Sequence, residues 1–193
     1  MAFNLTRMTV YALISSLEED LRAVIKDYLI GSNSKANIPD ELYKRAQYRL
    51  EKDLGFNFES TSPLDLIDYF DLGDTYQVIN SNSEHIPDHI SSIIKRNTKN
   101  FDKIIPIRNR VMHIRPLDVE DSPNTFLLCE KLTEYDDSVW TNISTTLALI
   151  HENPAYVLGL EIKNLEDVYE NHNLPIPDFD ETGLIGRNED VKK

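Results

Sequence analysis

From Val10 onward the apolar residues fall at Leu13, Ile14, Leu17, Leu21, Val24, Ile25, Tyr28 and Leu29, a spacing that predicts one amphipathic helix ended by Gly31. A second helix is expected from Pro39 through Leu42, Ala46 and Leu50 to Gly55, with proline at its start and glycine at its end. Ser62-Pro63-Leu64-Asp65 gives a third start, because serine caps, proline fits the first turn and an acid faces the positive end of the dipole. That helix is expected to reach Asp71 and stop near Gly73. Asp74 to Asn80 carries a weaker pattern, enough for a further turn or two before the polar loop Asn80-Ser81-Asn82-Ser83.

Pro87 opens a helix through Ile90, Ile93 and Ile94 with basic residues on its outer side, and Asn97-Thr98-Lys99-Asn100 interrupts it. A new apolar set, Phe101, Ile104, Ile105, Ile107, Val111, Met112 and Ile114, leads into a short helical segment between Pro106 and Pro116. Asp121-Ser122-Pro123 is another start. Leu128, Leu132, Tyr135, Val139, Ile143, Leu147 and Ile150 then follow at intervals of three or four, which predicts one helix of roughly 28 to 30 residues ending before Pro154. Its alternative is a break at Asp136-Asp137. No strand alternation competes in this region, so the expected fold class is all-α, an antiparallel helical bundle over residues 1–153.

Beyond Pro154 the pattern changes. Tyr156 to Ile162 fits a short strand or helix, and Asn173 to Gly183, with Pro175 and Pro177, reads as an extended linker. Residues 154–193 are therefore expected to leave the bundle.

Charge adds a local feature to this plan. The chain carries −13, which argues against unselective coating of nucleic acid. Between Ser91 and Pro116, however, Lys95, Arg96, Lys99, Lys103, Arg108, Arg110 and Arg115 face one acid, Asp102, for a local +6 and −19 elsewhere. A basic island in an acidic protein focuses a polyanion onto one place; a solvated helix face paired with nearby acids is the competing reading. No apolar run is long enough to span a bilayer and no signal peptide precedes the first helix, so a cytoplasmic protein is expected. The single cysteine, Cys129, lies among Phe126, Leu127, Leu128 and Leu132 and reads as a buried, inert thiol. Trp140 reads as core or dimer surface rather than a base-stacking platform.

Candidate chemistry gathers at Arg108, Asn109 and His113. On an ideal helix Asn109 and His113 share a face, while Arg108 lies about 140° from His113. Imidazole exchanges protons near neutral pH, guanidinium stabilises charge that develops on an attacked phosphodiester, and asparagine can orient the imidazole or bind a phosphate oxygen. RNA cleavage by its own 2′-hydroxyl needs a base, an acid and a cation, and no metal from this set. One histidine is poorly placed to act at both sides of phosphorus, so the chemistry favours two copies of this helix around one cleft. Lys99, Lys103, Arg110 and Arg115 are the candidate phosphate contacts. A core histidine beside a solvated arginine is the non-functional alternative. His85 and His89, with Glu84 adjacent, suggest a metal site, but Pro87 falls between them and no further ligands accompany them, so no metal is assigned.

Arg108, Asn109 and His113, with Val111 and Met112 on the buried face and Pro116-Leu117 following, resemble the HEPN superfamily. These are small helical bundles marked by an arginine, often a polar residue after it, and a histidine four to six residues beyond. The resemblance in organisation covers about residues 6 to 152. It implies a dimeric, metal-independent endoribonuclease that binds RNA, as found in toxins, antiviral phage defence and RNA processing, although some members have lost catalysis. A second resemblance lies in Leu184, Ile185, Gly186, Arg187 and Asp190, which stand close to the entry segment of AAA-like or STAND-type P-loop ATPases; Asn188 and Glu189 are shifted by one from its commonest form. No Gly-x-x-x-x-Gly-Lys-Ser/Thr loop occurs in the chain, so ATP and magnesium are expected only for an ATPase module following this one, and no cofactor for the helical domain itself. The expected function is an endoribonuclease effector fused to that ATPase; the alternative is a catalytically inactive helical module that dimerises or senses a partner for it.

Overall fold

The computed structural model describes residues 5–30, 37–55, 66–136 and 138–158, and within them the chain is all-helical. Among the described residues seven α-helices are delimited, in order: α1 (Leu5–Val24), α2 (Asp40–Leu54), α3 (Leu72–Ser81), α4 (Asp88–Arg96), α5 (Thr98–Met112), α6 (Asp121–Thr133) and α7 (Thr141–Glu152). A π-helical stretch, Ile25–Ile30, extends α1, and short 3-10 turns occupy Ser83–His85 and Pro154–Leu158. None of these helices is long and apolar enough to cross a membrane. The predicted stop at Gly31, the start at Ser62 to Asp65, and the tail with its linker and Leu184 to Asp190 lie outside the described residues.

Helix α1 is the central element, with α3, α5, α6 and α7 all packed against it. Its predicted apolar stripe is the buried one: Val10, Leu13, Ile14, Leu17, Leu21 and Ile25 have no exposed surface. Burying a Leu or Ile side chain is worth about 1.5–3 kcal/mol, which makes this helix the largest contributor to the core. Polar cross-links set the directions of its neighbours. Ser16 Oγ meets Thr146 Oγ1 at 2.7 Å while Asp20 bonds Asn142, so α7 runs antiparallel to α1. Glu18 meets Arg108 while Arg7 reaches the carbonyls of Arg110 and Val111, so α5 is antiparallel to α1 as well. Lys103 bonds Asn124 and Arg110 bonds Asp121, which makes α6 antiparallel to α5.

The boundaries of α2 match the expectation, and Gly55 closes it in the left-handed region (φ 74°), donating its N–H to Glu51 O at 2.9 Å. Asp74 to Asn80 forms a full helix rather than a turn or two. Asp71 and Asp74 build a reciprocal capping box at its start, and α3 then stacks Tyr76 on Phe101 of α5 with ring centroids 4.6 Å apart. Arg49 of α2 grips both of those acids, at 2.9 Å to Asp71 and 2.6 Å to Asp74.

The single long helix expected after Asp121 is corrected: α6 and α7 are separate and pack on each other. The break falls where its alternative put it, around Asp136. Its cause is tertiary. Trp140, fully buried, takes a non-helical conformation (φ −100°, ψ 49°) before α7, and Asp20 of α1 accepts hydrogen bonds from the Asn142 and Ile143 N–H groups at 3.1 and 3.0 Å. A straight helix would carry those groups away from α1 and expose the indole, whereas folding back buries both faces.

Candidate active site on α5

Helix α5 begins after Asn97, whose carbonyl receives the N–H groups of Asn100 and Phe101 at 2.8 and 3.0 Å. It continues through Pro106, so the expectation of a helix starting near that proline is corrected. Pro106 is exposed, as is Asp102, whose carbonyl loses its intrahelical donor there. Phe101, Ile104, Ile107 and Val111 form the buried face that anchors the helix.

The end of α5 is a Schellman turn. Arg115 donates its N–H to Arg110 O at 2.8 Å and Ile114 donates to Val111 O at 3.2 Å. The position that this motif reserves for glycine is occupied by Ile114 at φ 53°, a left-handed conformation unfavourable for a β-branched side chain, which is also 81% exposed. Arg7 of α1 stabilises the turn from outside: its guanidinium donates to the carbonyls of Arg110, Val111 and Arg115 at 3.1, 3.4 and 2.5 Å. A cation at the negative end of the helix dipole adds to those bonds.

His113 is the capping residue of this turn and is exposed, as is Asn109 one turn earlier. Arg108 points elsewhere. It lies in toward α1, where its Nε donates to Glu18 Oε1 at 2.9 Å, and only 20% of its side chain remains exposed. His113 is therefore not a core histidine, and Arg108 is an ion-paired rather than a solvated arginine. Within one chain Asn109 and His113 share an outer face, and Arg108 occupies a different side of the helix.

The remaining candidates divide in two. Lys99, Lys103 and Arg115 are exposed; Lys103 Nζ also reaches Asn124 Oδ1 at 3.2 Å. Arg110 is engaged. Its Nε donates to Asp121 Oδ2 at 2.9 Å and its Nη2 to the other carboxylate oxygen, a two-point pair across the α5–α6 cleft. Burial pushes the Asp121 carboxyl up, but Arg110 and the Asp118 N–H outweigh it and hold it below the usual range. The cleft itself, about 680 Å³, mixes Lys103 and Arg110 with Asp102, Asp118, Glu120 and Asp121. At this end of the basic island the competing reading, cations paired with neighbouring acids, describes Arg110.

His85 and His89 do not converge: His85 approaches Glu84 at 3.5 Å, and His89 approaches Asp136 at 3.7 Å. Among the described residues no group of three or more His, Cys, Asp or Glu side chains is arranged to hold a metal ion. Cys129 is buried, and burial raises its thiol well above the ordinary range.

Two residues that bear on this site, Arg7 and Glu18, were not singled out by the pattern of the chain. The available signal was weak but present for Glu18, because it sits four residues after Ile14 and three before Leu21, an acid inside the apolar stripe of α1. Comparison with protein-family models, curated proteins and solved structures returned no match to this chain.

Proposed function

We propose that this chain is a HEPN-type endoribonuclease domain that cleaves RNA through the RNA's own 2′-hydroxyl, with His113 and Arg108 as the reacting pair and Asn109 beside them. The observation that carries the reading is the presence on one helix of an exposed imidazole at its end and a guanidinium that, among the described residues, is anchored through Nε alone. His113 removes the 2′-hydroxyl proton, the 2′-oxygen attacks phosphorus, and the bond to the 5′-oxygen breaks as a second histidine protonates it. The products are a 2′,3′-cyclic phosphate and a 5′-hydroxyl end. Arg108 stabilises the charge of the pentavalent intermediate.

Because His113 and Arg108 occupy different sides of one helix and one imidazole cannot serve both sides of phosphorus, the reading requires two copies whose α5 helices face each other. Lys99, Lys103 and Arg115, all exposed, supply the phosphate contacts. The same proposal includes attachment to a P-loop ATPase, on the resemblance of Leu184 to Asp190, and a place in a toxin or phage-defence system; nucleotide and magnesium belong to that module.

A second reading, a catalytically silent sensor or dimerisation module, is favoured by the ion pair that occupies Arg108. Incubation with RNA in EDTA decides between them. Cleavage leaving a cyclic phosphate, lost in His113→Ala and Arg108→Ala, is the expected result. A folded dimer that leaves RNA intact, or a His113→Ala protein as active as the parent, overturns the first reading.

A further inference from the structure

Glu18 is an acid on the buried face of α1, with 7% of its side chain exposed. Three donors converge on its carboxylate. Oε1 accepts from Arg108 Nε at 2.9 Å and from the Leu72 N–H at 3.1 Å, and Oε2 accepts from Arg22 Nη2 at 3.1 Å. Arg22 is held in turn by the Phe70 carbonyl at 2.8 Å. Two of these three contacts, from the Leu72 N–H and from Arg22, hold the carboxylate independently of Arg108.

The form of the Arg108 contact matters more than its presence. An arginine that only closes a buried ion pair gains most from a two-point fork, as Arg110 does with Asp121. Arg108 engages one Glu18 oxygen, while the other pairs with Arg22. Among the described residues nothing else bonds Arg108, so both of its Nη groups remain without a protein partner, and neither is sealed from solvent. Charge points the same way. Two guanidinium groups share one carboxylate in a half-buried setting, leaving a surplus positive charge that an anion at the Nη edge would neutralise.

We propose that Glu18 is the positioning residue of Arg108: it grips Nε, orients the guanidinium plane, and presents both Nη groups to a phosphodiester of the RNA substrate. The inference rests on the ribonuclease reading for the identity of the substrate, and on the Glu18 geometry for everything else. Glu18 touches no reacting atom. Its effect passes wholly through Arg108.

A double-mutant cycle with the full chain tests this. Glu18→Gln keeps an acceptor for the Leu72 N–H but removes the charge that orients Arg108. It is expected to lower kcat for RNA cleavage on the order of a hundredfold, the usual cost of a misplaced catalytic group, and to raise KM as well, because the same Nη groups hold the bound phosphodiester. In an Arg108→Ala background the same substitution is expected to cost nothing further. Full kcat in a folded Glu18→Gln protein, or an equal loss in both backgrounds, overturns the proposal.

Binding of a fully 2′-deoxy oligonucleotide, which cannot be cleaved, separates this proposal from the activity. If the parent protein is inert in EDTA yet binds the oligonucleotide in a manner weakened by Glu18→Gln and by Arg108→Ala, the ribonuclease reading fails and the Glu18–Arg108 anion site stands. Binding indifferent to both substitutions overturns the site. Should Glu18→Gln not fold, the Arg108 Nε–H resonance of the parent protein is decisive: it is expected to stay in place while the Nη resonances shift on adding the oligonucleotide, and release of Nε–H from Glu18 overturns the proposal.

Discussion

Asp20 of α1 caps helix α7 from across the bundle, its carboxylate receiving the N–H of Ile143 at 3.0 Å together with the backbone and side-chain N–H groups of Asn142. No residue next to α7 in sequence performs this role, since the local position is taken by Trp140, which makes no side-chain cap. Removing the carboxylate in Asp20→Ala leaves buried donors unpaired and is expected to cost about 1–3 kcal/mol. Urea unfolding followed through Trp140, the one tryptophan in the chain, measures it.

The same residue gives stability a definite pH slope. Burial raises the Asp20 carboxyl above its ordinary 3.8, more than its three hydrogen bonds lower it. The folded protein therefore holds this proton more tightly than the unfolded chain, and the stability so gained is lost as pH rises above 3.8 through the folded-state value. Asp20→Asn is expected to flatten that limb of the stability profile. An unchanged slope in the variant contradicts the assignment.

Asp121 acts with the opposite sign. Burial pushes its carboxyl up, but Arg110 and the Asp118 N–H hold it below 3.8. Its contribution is present above 3.8 and is lost as pH falls through the lower folded-state value. Asp121→Asn is expected to destabilise the protein at neutral pH by about 2 kcal/mol, the scale of a charge-assisted hydrogen bond, and to remove that acid limb. Chemical unfolding at pH 7 and at acid pH provides both readouts.

Ile114 supplies a stabilising substitution. It occupies the left-handed position of the Schellman turn at φ 53° with its side chain almost wholly in solvent, so it loses conformational energy and gains little burial. Ile114→Asn is expected to raise stability by about 1 kcal/mol. A lower melting midpoint in the variant means that the side chain has a contact worth more than the strain.

Cys129 is buried on α6 with its thiol raised well above its ordinary range by burial and by the nearby Asp20 and Glu130 charges. It is expected to resist a thiol-reactive dye in the native protein and to react fully in denaturant. Rapid labelling of the native chain would show that α6 opens locally.

The helical class, the stripe on α1 and the end of α2 at Gly55 were legible along the chain, because each depends on the period of apolar residues or on the backbone preferences of glycine within one turn; the interruption expected over Asn97 to Asn100 shrinks to Asn97 alone, since Thr98 to Asn100 form the first turn of α5. The extent of α3 was less so, since its capping box uses two aspartates in a segment with little apolar signal. The break between α6 and α7 was undecided locally: the apolar spacing runs on through it, and only the burial of Trp140 and the reach of Asp20 turn the chain back. The candidate site divides the same way. Arg108, Asn109 and His113 stand out as residue types at a spacing, and helix geometry alone separates Arg108 from His113 around the axis. The partner of Arg108, Glu18, and the residue that braces the turn around His113, Arg7, both come from α1, some ninety to a hundred residues earlier in the chain. Contacts between residues so distant in sequence are set by how the helices pack, and no local pattern encodes them.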